Sequence, residues 1–280
     1  MPNRRHTSFV IEHQGGVYWF DAGEGCAHTA HLLGVDLLAV QAIFISHVHM
    51  DHVGGLANLL WAMQKLGTGA GEHQGVMVSR DSPWSLSGKT VPVFIPNMNV
   101  GRGVLDVLAG PTGRFRADFS VNAHSFGDGV IYEENGLRVE ALHNRHLGEP
   151  PEGETWQSFS FLVEAEGKSV VFSGDVADVS EPGPLLDGCD LFLMETGHHR
   201  AEDVAAYLKE SQKDVRRLGF VHHGRAVLAD PDGELRKAQA VLSGAGGGLQ
   251  TGGAPLGELD KLDILDRKVF IADDGMSVDV

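Results

Sequence analysis

Cysteine is nearly absent from this sequence: Cys26 and Cys189 are the only two in 280 residues. They stand far apart, each beside ordinary core-like residues, so neither a disulfide framework nor a thiolate metal site is expected. Long apolar runs are missing as well. No stretch of about 18 apolar residues occurs, and the N-terminal MPNRRHTSFVIEH is basic without an apolar region or a cleavage site. The chain is therefore expected to be cytoplasmic, with no membrane partner. Basic residues are scarce, 22 Lys and Arg against 38 Asp and Glu, for a formal net charge of −16. Such a surface repels polyanions and disfavours non-specific nucleic-acid binding, so a phosphate-bearing substrate has to be drawn in locally. There is no short-period repeat. The length suits one core, and residues 1–280 are read as a single domain.

What the sequence does contain is a series of short, β-branched or aromatic segments bounded by Gly, Asp or Asn. They predict strands over 7–13, 16–23, 42–47, 91–96, 137–143, 158–166, 169–175, 189–196, 218–224 and 268–274. Helical periodicity covers 51–66, 101–110, 201–214 and 233–244. Runs of strands separated by helices indicate an α/β protein with two sheets covered by helices. Glycine- and proline-rich stretches at 67–75, 146–155 and 243–257 read as surface loops.

The densest chemistry lies in ISHVHMDHVGG, Ile45 to Gly55, directly after the apolar run AIFI. Residues two apart in an extended segment point to one side, so His47 and His49 converge on one point beyond the strand end. Asp51 and His52 follow in the first turn of the next helix and face a second point, while Gly54 and Gly55 let backbone approach closely. A lone histidine is usually a satisfied polar residue, and Asp51 alone would be a natural helix N-cap. Four such residues in six positions point instead to a metal. Other candidates also stand at strand ends: His143 and His146, Asp175 in SGD, and the adjacent pair His222 and His223. Asp175, with two carboxylate oxygens, is the one able to bridge two cations.

HVHMDH (47–52), a histidine about a hundred residues on, then SGD and a late HHG resemble the metallo-β-lactamase superfamily, whose H-x-H-x-D-H pattern is matched in full. The resemblance spans nearly the whole chain. It implies an αββα sandwich with a binuclear centre at the sheet edge. It also implies His47, His49 and His146 on one ion, Asp51, His52 and His223 on the other, and Asp175 between them. The spacing V-x-A-x-x-x-x-H falls on Val139, Ala141 and His146. The last ligand of the family usually sits two residues after the strand's final apolar position, here Val221, which selects His223 over His222.

The N-terminal half is most similar to ribonuclease Z and its phosphodiesterase relatives. TSFVIEHQGGVYWFDAGEGCAHTAH matches that branch's two strands, D-x-G-E-G and following helix, making Asp21 a candidate to orient a metal-binding histidine. In METGHHRAEDVAAYL, His199 precedes Ala205 and Ala206 at the spacing of a histidine that supports the leaving oxygen. Differences from ribonuclease Z are also plain. Met50 replaces Gly, HHGRAV replaces a motif with Ser and Arg, and the long basic arm that grips the tRNA elbow has no counterpart. Segment 67–136 carries only Arg80, Lys89, Arg102, Arg114 and Arg116, scattered.

Seven nitrogen and oxygen ligands without thiolate suit two divalent ions, zinc first, with manganese or iron as alternatives. Two such ions supply hydroxide at neutral pH and hold the attacking and departing oxygens. The expected function is a phosphodiesterase for a small-molecule or short nucleotide substrate. Asp51 would take the nucleophile's proton, His199 would support the leaving alkoxide, and Arg225 is a candidate phosphate clamp. Trp156, in the loop after His146, is a candidate base-stacking residue. No long nucleic acid is expected, and close relatives suggest a homodimer. The rival is an acyl hydrolase acting on a thioester, lactone or β-lactam, since the fold does not choose between them. A di-iron or metal-holding protein without turnover is the weakest alternative.

Overall fold

The computed structural model describes residues 4–68, 86–244 and 268–280. Arg80, residues 69–75 of the first glycine-rich loop and 245–257 of the last lie outside these. The chain divides into two compact units, residues 1–131 with 147–159, and 132–146 with 160–280.

In the first unit, strands β1 (Phe9–His13), β2 (Gly16–Phe20), β3 (Val40–Phe44), β4 (Thr90–Phe94) and β5 (Ser120–His124) form one sheet in that order. β1 and β2 make an antiparallel hairpin, turned by Gln14 and Gly15 with φ 50° and 86°. The pairings β2–β3, β3–β4 and β4–β5 are parallel. Alternation sorts the faces. Val17 and Trp19 pack with Ala27 and Ala30 of α1 (Cys26–Leu32) and Leu59, Leu60 and Met63 of α3 (Leu56–Thr68). The opposite face carries a row of stacked rings, one per strand: Phe9–Phe20 at 5.0 Å, Phe20–Phe44 at 4.9 Å, Phe44–Phe94 at 5.1 Å and Phe94–His124 at 5.5 Å.

The helix expected over 51–66 is two helices, α2 (Met50–Val53) and α3. The break follows from backbone crowding at Gly55, where a Cβ would lie 2.2 Å from the Gly23 carbonyl oxygen. A Cβ on Gly23 would in turn meet the Asp51 carbonyl at 2.4 Å. Only glycine permits this approach, and hydrogen bonds from Ala22 N–H to His52 O (2.6 Å) and Gly55 N–H to Ala22 O (2.7 Å) close it. α4 (Met98–Ala109) begins before the expected 101, because the Asn97 side chain accepts from the Asn99 and Val100 N–H groups as an N-cap.

The second sheet has the order β12-β11-β10-β9-β8-β7-β6. Its strands are β6 (Gly129–Glu134), β7 (Leu137–His143), β8 (Phe159–Ala165), β9 (Lys168–Phe172), β10 (Cys189–Thr196), β11 (Val215–His223) and β12 (Val269–Ile271). β9 to β12 run parallel, and β8 is antiparallel to β9. Both sheets are therefore mixed and flanked by helices, as expected for the α/β class. The crossover from β10 to β11 is α5 (Ala201–Glu210), followed after β11 by α6 (Arg225–Ala229) and α7 (Pro231–Ser243). Ala201, Val204, Ala205 and Leu208 of α5 and Ala238 of α7 join Val171, Phe192, Met194 and Phe220 in one core. β5 and β6 were not expected from the sequence. They end their respective sheets; SVNAH buries no residue, and GVIYEE buries only Tyr132 although its Val-Ile-Tyr run has strand character.

Burial pushes the thiols of Cys26 and Cys189 up to about 12, so both are apolar core residues. Among the described residues, no helix is long and apolar enough to cross a membrane.

Candidate metal centre

In the first unit the candidate site grows from the end of β3. The strand stops at Phe44, Ile45 N–H still pairs with the Phe94 carbonyl, and the chain then turns into α2 with His49 at its N-cap position. Asp51 is thus inside the first turn rather than at the cap. His47 and His52 are fully buried; His49 is exposed and Asp51 is half-buried.

One carboxylate organises this turn. Asp21, completely buried at the end of β2 and held at φ 52°, accepts from Ser46 N–H (2.7 Å) with Oδ1. Its Oδ2 accepts from Ser46 Oγ–H (2.8 Å) and from His52 Nδ1–H (2.7 Å). Proton accounting follows. Ser46 spends its hydroxyl proton on Asp21, so its oxygen accepts from His47 Nδ1–H at 3.1 Å. Both buried imidazoles therefore carry their proton on Nδ1 and present an Nε2 lone pair, the tautomer a metal requires. His47 Nε2 lies 3.1 Å from His49 Nδ1, close to the roughly 3.3 Å edge of a tetrahedral zinc shell with bonds near 2.0 Å. His52 Nε2 lies 3.9 Å from Asp51 Oδ2.

In the second unit the donors stand at the ends of β7, β9, β10 and β11. Asn144, buried, turns the chain after β7 by accepting from His146 N–H at 3.1 Å, and His146 Nε2 comes 3.8 Å from Asp175 Oδ2. Gly174 at φ 59° turns SGD so that Asp175 is buried. Asp175 Oδ1 faces His222 Nδ1 at 3.4 Å, and its Oδ2 faces His198 Nδ1 at 3.7 Å.

The structure places the two adjacent histidines in different surroundings, with His222 facing Asp175. His223, the expected ligand, has Nδ1 on Thr196 Oγ1 at 3.0 Å, and its Nε2 donates to the Ala272 carbonyl at 2.8 Å. The cause is a β-bulge. Glu195 pairs with Val221 and Thr196 with His223, leaving His222 as the extra residue at φ 46°. The bulge shifts the side-chain alternation and turns His222 toward Asp175. Gly197 makes room for it, since a Cβ there would lie 2.3 Å from His222 Nδ1.

Two residues that sequence reasoning passes over, Glu195 and His198, also stand here. Glu195, fully buried, accepts from His198 N–H (2.9 Å) and approaches His198 Nδ1 at 3.1 Å. Burial works to raise its carboxyl, but the nearby His222 ring and the His198 N–H outweigh that and hold it below the usual carboxylate range. Its signal was a glutamate closing the apolar run LFLM, residues 191–194. His199, the expected leaving-group residue, donates from Nε2 to the Val176 carbonyl at 3.0 Å and lies 3.7 Å from Glu195 Oε1. Arg225 is exposed, and Trp156 is half-buried in its loop. Each unit thus presents imidazole and carboxylate donors without thiolate, a set that fits zinc, manganese or iron(II).

Comparison with known proteins agrees with this chemistry. The model of the beta-lactamase superfamily domain matches residues 18–229, which includes every donor named above. Ribonuclease Z of Methanothermobacter thermautotrophicus is 28% identical over 144 residues, covering 51% of this chain and 40% of that one. Ribonuclease Z of Natronomonas pharaonis is 25% identical over 291 residues, covering 86% of this chain and 89% of its own. Among solved structures, the short form of human tRNase Z superposes with a TM-score of 0.61 at 17% identity, over 81% of this chain and 89% of that one.

Two substitutions test the geometry. Asp21→Ala strands three buried donors at about 1–3 kcal/mol each, so urea unfolding is expected to show a loss of about 3 kcal/mol or more; a loss under about 1 kcal/mol would contradict the network. Gly197→Ala is expected to displace the His222 ring and weaken zinc binding about tenfold or more in a chelator titration, with the circular dichroism spectrum retained. Unchanged affinity would mean that His222 does not ligate.

Proposed function

Because the chain belongs to the metallo-β-lactamase superfamily and is a ribonuclease Z-like, metal-dependent hydrolase, we propose that it cleaves a small phosphodiester or nucleotide-type substrate with two divalent metal ions. The ligands in this reading are His47, His49, Asp51 and His52 of the first unit and His146, Asp175 and His222 of the second, with Asp175 bridging and zinc as the first choice of metal. Residues 1–280 then act as one metallo-β-lactamase-like domain, a reading supported by a family match that runs through both units. When bound, the ions lower the pKa of a water and neutralise charge on phosphoryl oxygens.

The observation that carries the reading is the Asp21 network. Two imidazoles are buried completely, and one carboxylate fixes the Nδ1 proton of both, leaving their Nε2 atoms beside His49 and Asp51. A bound cation would take these lone pairs together with the His49 and Asp51 donors.

The chain's own side chains then have distinct tasks. Asp51, on α2 and half-exposed, takes the nucleophile's proton. His199 supports the leaving oxygen by exchanging its Val176 carbonyl partner for that oxygen. Phosphorus rather than carbon as the reaction centre is supported by relatives named ribonuclease Z that align over most of this chain. A small substrate is supported by the net charge of −16. The same relatives favour a second reading, cleavage of an RNA such as a tRNA precursor, in which local basic residues would have to offset that charge. Self-association as a homodimer belongs to either reading.

The test assays metal-counted protein on bis-p-nitrophenyl phosphate, a 3′-extended tRNA precursor, a thioester and a lactone. Cleavage of the small diester is expected, with His49→Ala abolishing it and His199→Ala lowering kcat about 10²-fold or more at unchanged metal content. Preference for the tRNA precursor would establish the second reading, and acyl cleavage alone would contradict both.

A further inference from the structure

The second unit contains more donors than the seven-ligand reading uses. Asp175, Glu195, His198 and His222 each offer one ligand atom, and these atoms all lie within 4.8 Å of one another. The two carboxylates and two imidazoles alternate. Asp175 reaches His222 at 3.4 Å and His198 at 3.7 Å, and Glu195 reaches His198 at 3.1 Å and His222 at 3.9 Å. They run to both oxygens of each acid, Asp175 Oδ1 to His222 and Oδ2 to His198, Glu195 Oε1 to His198 and Oε2 to His222, so each carboxylate faces both rings.

Burial and packing point the same way. Asp175 and Glu195 are buried carboxylates that face the same two imidazoles, a mixed donor set suited to a cation. The His198 and His222 rings lie parallel, with centroids 5.8 Å apart and planes 13° from parallel, each with its Nδ1 turned toward both acids. Glu195 accepts from the backbone N–H groups of Val176 (3.4 Å) and His198 (2.9 Å), one on each oxygen, and these bonds hold its carboxylate facing both rings.

We propose that Glu195 and His198 are metal ligands, completing with Asp175 and His222 a four-donor set through which the second unit alone anchors one divalent cation. Two carboxylate charges balance the dication, and the mixed nitrogen and oxygen set takes zinc, manganese or iron(II). The inference deepens the metal-dependent reading above and rests on its claim that ions bind, but not on its choice of substrate. It implies that one ion is retained when donors of the HVHMDH motif are removed.

The test is cobalt(II) spectroscopy on the full chain carrying His198→Cys. Its side chain is 46% exposed, so the substitution is tolerable, and the two native thiols are buried out of reach. A thiolate ligand gives a sulfur-to-cobalt charge-transfer band in the near ultraviolet; this band is expected in His198→Cys and absent from wild type. Cobalt bound at the wild-type stoichiometry without the band would overturn the proposal. Should His198→Cys fail to fold, Glu195→Gln decides. One zinc equivalent is expected to weaken by tenfold or more in a chelator titration, while His49→Ala leaves that equivalent in place. Wild-type affinity in Glu195→Gln would overturn the proposal. Because these readouts count ions rather than turnover, a protein that binds metal as expected but cleaves no phosphodiester would sink the functional reading and leave this one standing.

Discussion

A single buried carboxylate sets the terms for the donors of the first unit. Asp21 has two oxygens and receives three hydrogen bonds, two from Ser46 and one from His52. Through Ser46 it also fixes the proton of His47. Two imidazole tautomers, the turn after β3 and the start of α2 therefore depend on one carboxylate. The backbone obeys the same constraint, because Gly23 and Gly55 let the end of β2 and the α2–α3 junction approach closely enough for direct hydrogen bonds. An alanine at either glycine would push these elements apart and take Asp21 out of reach of His52.

In the second unit, the equivalent device is a register error in a parallel sheet. A regular β11 would alternate Val221, His222 and His223 across its faces. One extra residue at His222 breaks that alternation and hands His223 to Thr196 and the Ala272 carbonyl. Gly197 and Gly224 make the bulge sterically possible: a Cβ on Gly224 would lie 2.7 Å from the carbonyls of Gly197 and Thr196. The bulge re-aims one side chain without lengthening a loop, so the donor stays on a rigid strand end.

These two devices explain what was legible in the sequence. HVHMDH could be read because its donors are set by local spacing at one strand end, and Asp21 because it lies in a recognisable D-x-G-E-G segment. The different surroundings of His222 and His223 could not be read, because a bulge depends on the pairing of β11 with β10, which no spacing within HHG reveals. Glu195 looked like any strand-end glutamate, and its meaning comes from Asp175 and His198 across neighbouring strands. Most core strands were legible because they are buried and apolar; β5 has no such pattern, and in β6 only the three-residue run Val130-Ile131-Tyr132 signals a strand. Gly54 and Gly55 were read as a close backbone approach, but periodicity carried the helix through them, since apolar spacing is blind to a carbonyl pressed against the chain.

The central claim is that buried imidazoles with fixed tautomers present defined nitrogens to divalent ions. The measurement that tests it most directly is a zinc-edge anomalous difference map from zinc-loaded crystals. The account predicts zinc peaks within about 2.0–2.1 Å of His47 Nε2, His52 Nε2 and His222 Nδ1, with His223 still on the Ala272 carbonyl. Zinc on His223, or on Nδ1 of His47 or His52, would contradict it.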